Sequence, residues 1–488
     1  MESLRAGIIG AGIAGIAAAI RLAVRGYDVE VFESNSYPGG KLSEINKDGF
    51  RFDAGPSLFT MPELVDDLFV LAGENPKDYF QYIRLPVTCL YFYEDGTQIS
   101  AFGDQDKFIE EIHLKTGEPK QNISSSFKNS ASLYKYLSPL FMHRSLHKKS
   151  TYLNKTAFKA YTNLFKFDFF RTMHEANSSF FDDERVVQLF DRYATYNGSD
   201  PYKTPATMNI IPHLEFGKGA YLPRNGMYDI TMSLFKLAKR VGVKFYFNKK
   251  VEKIITRNNK AIGIQIASEE LNYDAVVCNM DVVSAYRHLL SGEKQPHNFL
   301  TQPKSSSALI FYWGIKNQFP SLDLHNIFFS KSYKDEFDYI FNKKKVSKDP
   351  TVYVNITSKY NKSDAPEGCE NWFTMINVPN NTGQDWNTII QQARTNIIEK
   401  LNRLLKTDID PLIATETILD PRLVESTTFS SHGALYGNSS NNKYAAFLRH
   451  PNFSKNIRNL YFCGGSVHPG GGIPLCLLSA KITVDMIK

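Results

Sequence analysis

Residues 6–15 read Ala6-Gly7-Ile8-Ile9-Gly10-Ala11-Gly12-Ile13-Ala14-Gly15, and a second apolar run, Val29-Glu30-Val31-Phe32, closes on the acid Glu33. Strand, glycine turn, Ala-rich helix, strand and terminal acid, in that order, make a dinucleotide-binding βαβ unit. Gly10 lets the chain turn tightly out of the strand, Gly12 leaves room for a pyrophosphate, and Gly15 lets the helix pack against the strands. The phosphates of such a ligand rest on the helix N-terminus, where unpaired N–H groups and the helix dipole favour negative charge. Glu33 lies roughly 20 residues beyond the glycines, where a carboxylate accepts hydrogen bonds from an adenosine ribose. The motif alone does not separate FAD from NAD, because both present the same adenosine diphosphate.

At 488 residues the chain is too long for one ordinary core, so two domains are expected. Its formal charge of +7 suits an anionic surface without calling for nucleic acid, and no nucleic-acid partner is expected. The cysteines, Cys89, Cys278, Cys369, Cys463 and Cys476, are odd in number and form no C-x-x-C pair. That argues against a disulfide framework or a zinc site and for the cytoplasm. The glycine motif starts so close to Met1 that no secretory signal fits before it. No apolar run approaches the roughly 20 residues of a membrane span. Any membrane contact is then peripheral, and the expected location is the cytoplasm at the inner face of the cell membrane. Aromatic residues reach 13%, which fits packed cores or a long apolar substrate path equally well.

Three blocks, 1–85, 223–303 and 431–488, read as nucleotide-domain material. The second carries strand-like runs at Val243–Phe247, Val251–Ile255, Ala261–Ile266 and Asp274–Asn279. In the third, a buried strand at Leu460–Cys463 reaches Gly464 and Gly465, and a helix follows from about Pro474 to Lys488. The intervening inserts, 86–222 and 304–430, are rich in aromatic and basic residues and are expected to build a substrate domain. The expected fold class is α/β with an α+β substrate domain: a Rossmann-like domain interleaved with a second domain of mixed sheet and helices. Within the first insert, residues 134–170 interleave Tyr134, Tyr136, Leu140, Phe141, Phe158, Tyr161, Leu164, Phe165, Phe169 and Phe170 with Lys135, Arg144, Lys148, Lys149, Lys155, Lys159 and Lys166. Such a segment suits either an anionic membrane surface or ordinary amphipathic helices with a solvated basic face.

Beyond Glu33 come Tyr37-Pro38-Gly39-Gly40-Lys41 and Arg51-Phe52-Asp53-Ala54-Gly55-Pro56-Ser57. The glycine pair permits close backbone approach, and a basic side chain there can face a diphosphate. Near the other end, Gly464-Gly465-Ser466-Val467-His468-Pro469-Gly470-Gly471-Gly472-Ile473-Pro474 opens the last helix toward an anion or an electron-rich ring edge. These blocks, with Val251 and Asn279–Asp281, resemble those of the bacterial-type phytoene and carotenoid desaturases within the amine-oxidase-like flavoproteins. The ends of the match are shared with amine oxidases, protoporphyrinogen oxidases and retinol saturases, so they specify the flavin more firmly than the substrate. Narrower motifs, Asp191–Tyr202, Leu324–Phe329 and His432–Gly437, resemble the carotenoid desaturases. Among these the likeness is greatest to the branch that introduces a 3,4 double bond into 1'-hydroxylated carotenoids.

The resemblance implies a non-covalent FAD and assigns its contacts. Gly10, Gly12, Ile13, Ala14, Gly15, Glu33 and Ser34 would hold the adenosine end, with Val251 near the adenine and Asn279 and Asp281 closing the nucleotide pocket. Gly40, Lys41, Gly55, Pro56, Ser57 and Leu58 would lie toward the diphosphate and isoalloxazine, and Gly465, Gly472, Ile473 and Pro474 at the flavin end. Cys463 reads as packing inside its strand; His468 is the other residue that a covalent link would call on. The implied reaction is removal of two hydrogens from a long apolar polyene by hydride transfer to flavin N5, with a base or water taking the proton. No carboxylate can be nominated as that base. Asp191, Arg192 and Asp200 read as salt-bridged structural residues, and His325 and His432 carry the same reading. No second glycine triplet stands in a βαβ setting, so oxygen or a membrane quinone is the expected electron acceptor.

Overall fold

The computed structural model describes residues 3–163, 167–441 and 448–487. The strand Arg5–Ile9 turns at Gly10, whose φ of +96° favours glycine, and the helix Ile13–Val24 follows. A Cβ on Gly15 would lie 2.2 Å from the Gly10 carbonyl oxygen, and one on Gly12 would lie 2.6 Å from Asn279 Oδ1. The glycines are thus required by protein atoms before any ligand is considered. Ile13 to Ile20 of this helix are all buried. The helix packs on the strands and against the helices Tyr228–Arg240 and Ile473–Val484.

Five parallel strands form the first sheet in the order Leu460–Phe462, Ala275–Cys278, Arg5–Ile9, Asp28–Phe32 and Lys244–Tyr246. All come from residues 1–85, 223–303 and 431–488. The strand runs expected around Val251 and Ala261 lie elsewhere. Lys253–Arg257, Lys260–Ile266 and Glu269–Asn272 pair antiparallel in a separate three-stranded sheet. Val251 itself precedes that sheet in a loop, which frees it to reach the nucleotide cleft. The last helix ends at Val484 and not near Lys488, which lies outside the described residues. Arg25 ends it by donating to the Val484 carbonyl at 2.6 Å and pairing with Asp485 at 2.7 Å.

The second sheet has seven strands, ordered Ile413–Leu419, Ser307–Ile315, Glu370–Val378, Val352–Asn355, His325–Phe328, Val87–Phe92 and Gln98–Phe102. Every one falls within 86–222 or 304–430. One pair, His325–Phe328 with Val87–Phe92, is parallel and the rest are antiparallel. The strand Ser307–Ile315 is buried along its whole length because both faces are covered. Leu309, Phe311, Trp313 and Ile315 pack with Trp386, Ala393, Ile397 and Leu401 of the helix Trp386–Leu405. Ala308, Ile310 and Tyr312 face the other way with Phe373 and Met375. Burial of each such side chain is worth about 1.5–3 kcal/mol, so the helix side anchors the sheet while the opposite face is left to line a cavity.

The basic and aromatic segment 134–170 divides in two. Leu133 and Leu137 of the helix Lys120–Phe141 pack with Phe167 and Ile210, and Tyr134, Tyr136 and Leu140 are half-buried against them. This half is core, because its apolar residues recur on one helical face. In the second half Phe167 returns to that core, while Leu153 is 83% exposed, Phe158 67% and Phe170 88%. Leu164, Phe165, Lys166 and the Lys159 side chain lie outside the described residues.

The crowding at Gly15 gives a direct test. Gly15→Ala is expected to cost about 1–3 kcal/mol in urea unfolding, since a rigid backbone carbonyl must move. Gly292→Ala, where a Cβ meets nothing within 4 Å, should stay within about 0.5 kcal/mol of the parent.

Candidate active site

The ends of the parallel strands and one face of the seven-stranded sheet line one cavity of about 1250 Å³, larger than the roughly 300–1,000 Å³ of a single-ligand pocket. Its size suits a cofactor and a long substrate together. At one end it meets the glycine turn. All the residues assigned to the cofactor from the sequence line it, Gly10, Gly12, Ile13, Ala14, Glu33, Ser34, Gly40, Lys41, Gly55, Pro56, Ser57, Leu58, Val251, Asn279, Asp281, Gly465, Gly472, Ile473 and Pro474, except Gly15. Gly15 sits one turn inside the helix and serves packing instead.

Two helix N-termini open on this end, at Gly12 and at Gly472, and neither N-cap has a side-chain hydrogen bond. Their free N–H groups and positive dipole ends present an anion site. Glu33 Oε2 accepts from Ala11 N at 2.8 Å, and Oε1 accepts from Asn35 N at 2.9 Å and from Ser34 Oγ at 3.2 Å. The carboxylate therefore stiffens the glycine turn and keeps acceptor capacity toward the cleft. Asn279 Nδ2 donates to the Cys463 carbonyl at 3.0 Å, clamping two strand ends together. Asp281 caps a short helix, accepting from Val283 N at 3.0 Å and Ser284 N at 3.2 Å. Burial holds its carboxyl above the usual range while the Lys41 cation pulls it down. Lys41 is also desolvated, which lowers its ammonium, and it donates to the Leu435 carbonyl at 2.8 Å. Its charge is thus shared with the loop before the last glycine run, besides facing the cleft.

Farther along, the wall is the inner face of the seven-stranded sheet, with Ala308, Ile310, Tyr312, Tyr353, Phe373 and Met375. The cavity runs on to Phe141, Met142, Ile210, Ile211 and Leu214, beside the exposed apolar segment. One polar cluster interrupts this surface. Arg192 donates through Nε to Tyr91 Oη at 2.9 Å and through Nη1 to Tyr196 Oη at 2.9 Å, and it pairs with Glu215 at 3.3 Å. Its guanidinium also lies 4.5 Å from the Tyr193 ring centroid. The salt-bridged reading holds for all three residues of that motif, since Asp191 accepts from Asn177 and pairs with His174, and Asp200 pairs with Lys203. Only Arg192 among them reaches the cavity. His432 turns away, its Nδ1 against the Asn381 carbonyl, whereas His325 lines the cavity.

Sequence reading gave no sign of Arg449 or Tyr353, and it placed Tyr436 in the His432–Gly437 motif without a role; all three line the cavity. Arg449 is buried and touches the cavity, with Nη1 donating to the Tyr436 carbonyl at 2.6 Å and to the Gly465 carbonyl at 3.3 Å. Desolvation pushes it down to about 10. A buried Arg between two glycine blocks carries no motif of its own; only its place in space marks it.

A protein-family model described as flavin containing amine oxidoreductase matches residues 13–487, and the chain belongs to that family. FAD is its cofactor, and the uncapped helix ends, the glycine turn and Glu33 fit that group. The chain is 52% identical over 480 residues, 98% of each protein, to 1-hydroxycarotenoid 3,4-desaturase of Flavobacterium sp. (strain P99-3). It is 31% identical over 497 residues, 100% of this chain and 98% of the relative, to 4,4'-diapolycopene oxygenase of Methylomonas sp.. Among solved structures, an oxidoreductase from Methanosarcina mazei superposes with a TM-score of 0.66 at 15% identity, covering 99% of this chain and 100% of that one. Putrescine oxidase bound to putrescine does so with 0.62 at 12%, covering 99% of both. These two likenesses show the fold alone.

Glu33→Gln replaces one acceptor oxygen by an amide donor beside existing N–H donors. FAD affinity, measured by titrating the apoprotein and following flavin fluorescence, is expected to fall about tenfold or more.

Proposed function

We propose that this chain is an FAD-dependent desaturase that introduces the 3,4 double bond of a 1-hydroxycarotenoid. The full-length likeness at 52% identity to an enzyme of that name carries the reading. The cavity supports it, since one cavity of about 1250 Å³ joins the glycine-lined cleft to the largely apolar inner face of the seven-stranded sheet. On this reading residues 1–85, 223–303 and 431–488 bind FAD, and residues 86–222 and 304–430 bind substrate. The residues assigned from the sequence hold the cofactor as laid out above, with Gly15 acting through packing. Binding is non-covalent: Cys463 and His468 are buried away from the cavity, and burial pushes the cavity-lining Cys476 thiol up to about 11.

Bound FAD supplies a two-electron acceptor for the hydride. The chain's own part is to align the saturated carbon pair and exclude water. Alignment alone is worth on the order of 7–11 kcal/mol in the best intramolecular reactions. The electron acceptor is oxygen or a membrane quinone, and the substrate enters from an anionic lipid surface. Tyr152, Leu153, Phe158, Tyr161 and Phe170 are exposed beside exposed Lys148, Lys149 and Lys155, and the cavity reaches Phe141 and Met142 close by. The protein then works at the inner face of the cell membrane as a peripheral protein; among the described residues no helix is long and apolar enough to cross one.

Anaerobic mixing of the yellow holoenzyme with a 1-hydroxycarotenoid is expected to bleach the flavin and give a product lighter by two hydrogens with a longer conjugated system. Inertness toward polyenes with turnover of an amine would overturn the reading, and rapid reduction by NADPH would contradict the acceptor. Replacing Lys148, Lys149 and Lys155 by Glu should sharply reduce co-sedimentation with anionic liposomes; unchanged binding would remove the membrane assignment.

A further inference from the structure

Phe429 is the C-cap of the helix Pro421–Thr428, with φ +53° and ψ +24°. That left-handed conformation suits glycine, and a bulky aromatic residue in it is an outlier. Packing does not call for the ring. Among the described residues it belongs to no apolar core cluster; it is half-buried and lines the cavity. Its neighbours fix where along the cavity it stands. The Lys250 ammonium lies 5.5 Å from the ring centroid, and Lys250 directly precedes Val251. Asn35 Nδ2 donates to the Thr427 carbonyl at 3.2 Å, while Asn35 N donates to Glu33 Oε1 at 2.9 Å. Thr427, two residues before the ring, is thus joined to the Glu33 carboxylate through a single residue. A helix from the 304–430 insert therefore reaches across to the nucleotide unit and ends there in a strained aromatic side chain.

We propose that the Phe429 ring is the stacking surface for the adenine of the bound dinucleotide. The inference rests on the reading of Glu33 as the acid that holds the adenosine ribose. Adenine is bonded to that same ribose, so its stacking partner must stand near the carboxylate, and the Asn35 link brings the Phe429 turn there. A flat π-face beside another gains by stacking without needing a directional contact. Strained backbone persists at a site where the residue contacts a ligand, because glycine would otherwise be the better choice.

The test titrates the apoprotein with FAD, followed by flavin fluorescence, and with ADP, which carries only the adenosine end, in competition with FAD. Phe429→Gly is expected to weaken FAD and ADP alike, by about tenfold or more. It should do so without lowering the melting temperature of the apoprotein, since glycine suits the backbone there. Phe429→Tyr keeps the π-face and should bind both ligands as wild type does. A ring that merely packs the fold would give the reverse pattern, a lower melting temperature with ADP affinity unchanged, and that result would overturn the proposal. FAD weakened with ADP unaffected would overturn it too, as would a Tyr variant as weak as Gly. Should the Gly variant fail to fold, Phe429→Leu, which keeps apolar bulk without a π-face, is expected to show the same loss. Glu33→Gln separates the inference from the reading beneath it. If Glu33→Gln weakens ADP and Phe429→Gly does not, the stacking fails alone; if Phe429→Gly weakens ADP and Glu33→Gln does not, the ribose assignment fails and the stacking stands.

Discussion

Contact between the first helix and the first strand, with no side chain between Gly15 and the Gly10 carbonyl, is the constraint on which the rest of the molecule depends. Asn279 fills the remaining space, its Oδ1 against Gly12 and its Nδ2 on the Cys463 carbonyl, while Cys463 N donates to the Cys278 carbonyl at 3.1 Å. Three strand ends from distant parts of the chain therefore meet at one point. Two helices start from the same place, and the crevice outside the carboxyl ends of parallel strands is where such folds bind their ligands. The glycine runs around this junction stand at opposite ends of the sequence, yet both line the same cavity.

The seven-stranded sheet solves a different problem. It must offer a long apolar wall and still be rigid enough to position a carbon pair against the cofactor. Rigidity comes from its outer face, where Trp313 and Trp372 are buried against the Trp386–Leu405 helix and each indole N–H is satisfied, Trp313 by Glu416 at 2.6 Å and Trp372 by Glu370 at 2.9 Å. The inner face then needs few polar groups, and those it has stand out. The Arg192 cluster satisfies itself with Tyr91, Tyr196 and Glu215.

Much of this was legible in the sequence because it follows from local rules. The βαβ unit, the acid at Glu33 and the glycine run before the last helix each have a spacing that a single backbone conformation explains. That the runs after Val251 form a separate three-stranded antiparallel sheet was not legible, because a short run of alternating residues reads the same whether it joins one sheet or another. Segment 134–170 was read as one unit for a similar reason. Composition mixes a core helix with an exposed apolar stretch, and only neighbours such as Phe167 and Ile210 separate them. Arg449 and Tyr353 gave no signal, since a buried side chain acquires its meaning from groups far away in the chain.

The sequence by itself determined the nucleotide unit and its interleaving with a second, mixed sheet, because glycine requirements and strand–helix order are properties of short stretches, and the flavin followed from the resemblance of those blocks to known flavoproteins. Tertiary structure alone decided that those pieces share one cavity, that Gly15 packs while its neighbours line the cleft, and that His325 lines the cavity while His432 does not. Those outcomes depend on which residues face each other across two sheets, and pairing between distant strands is not encoded in any local pattern.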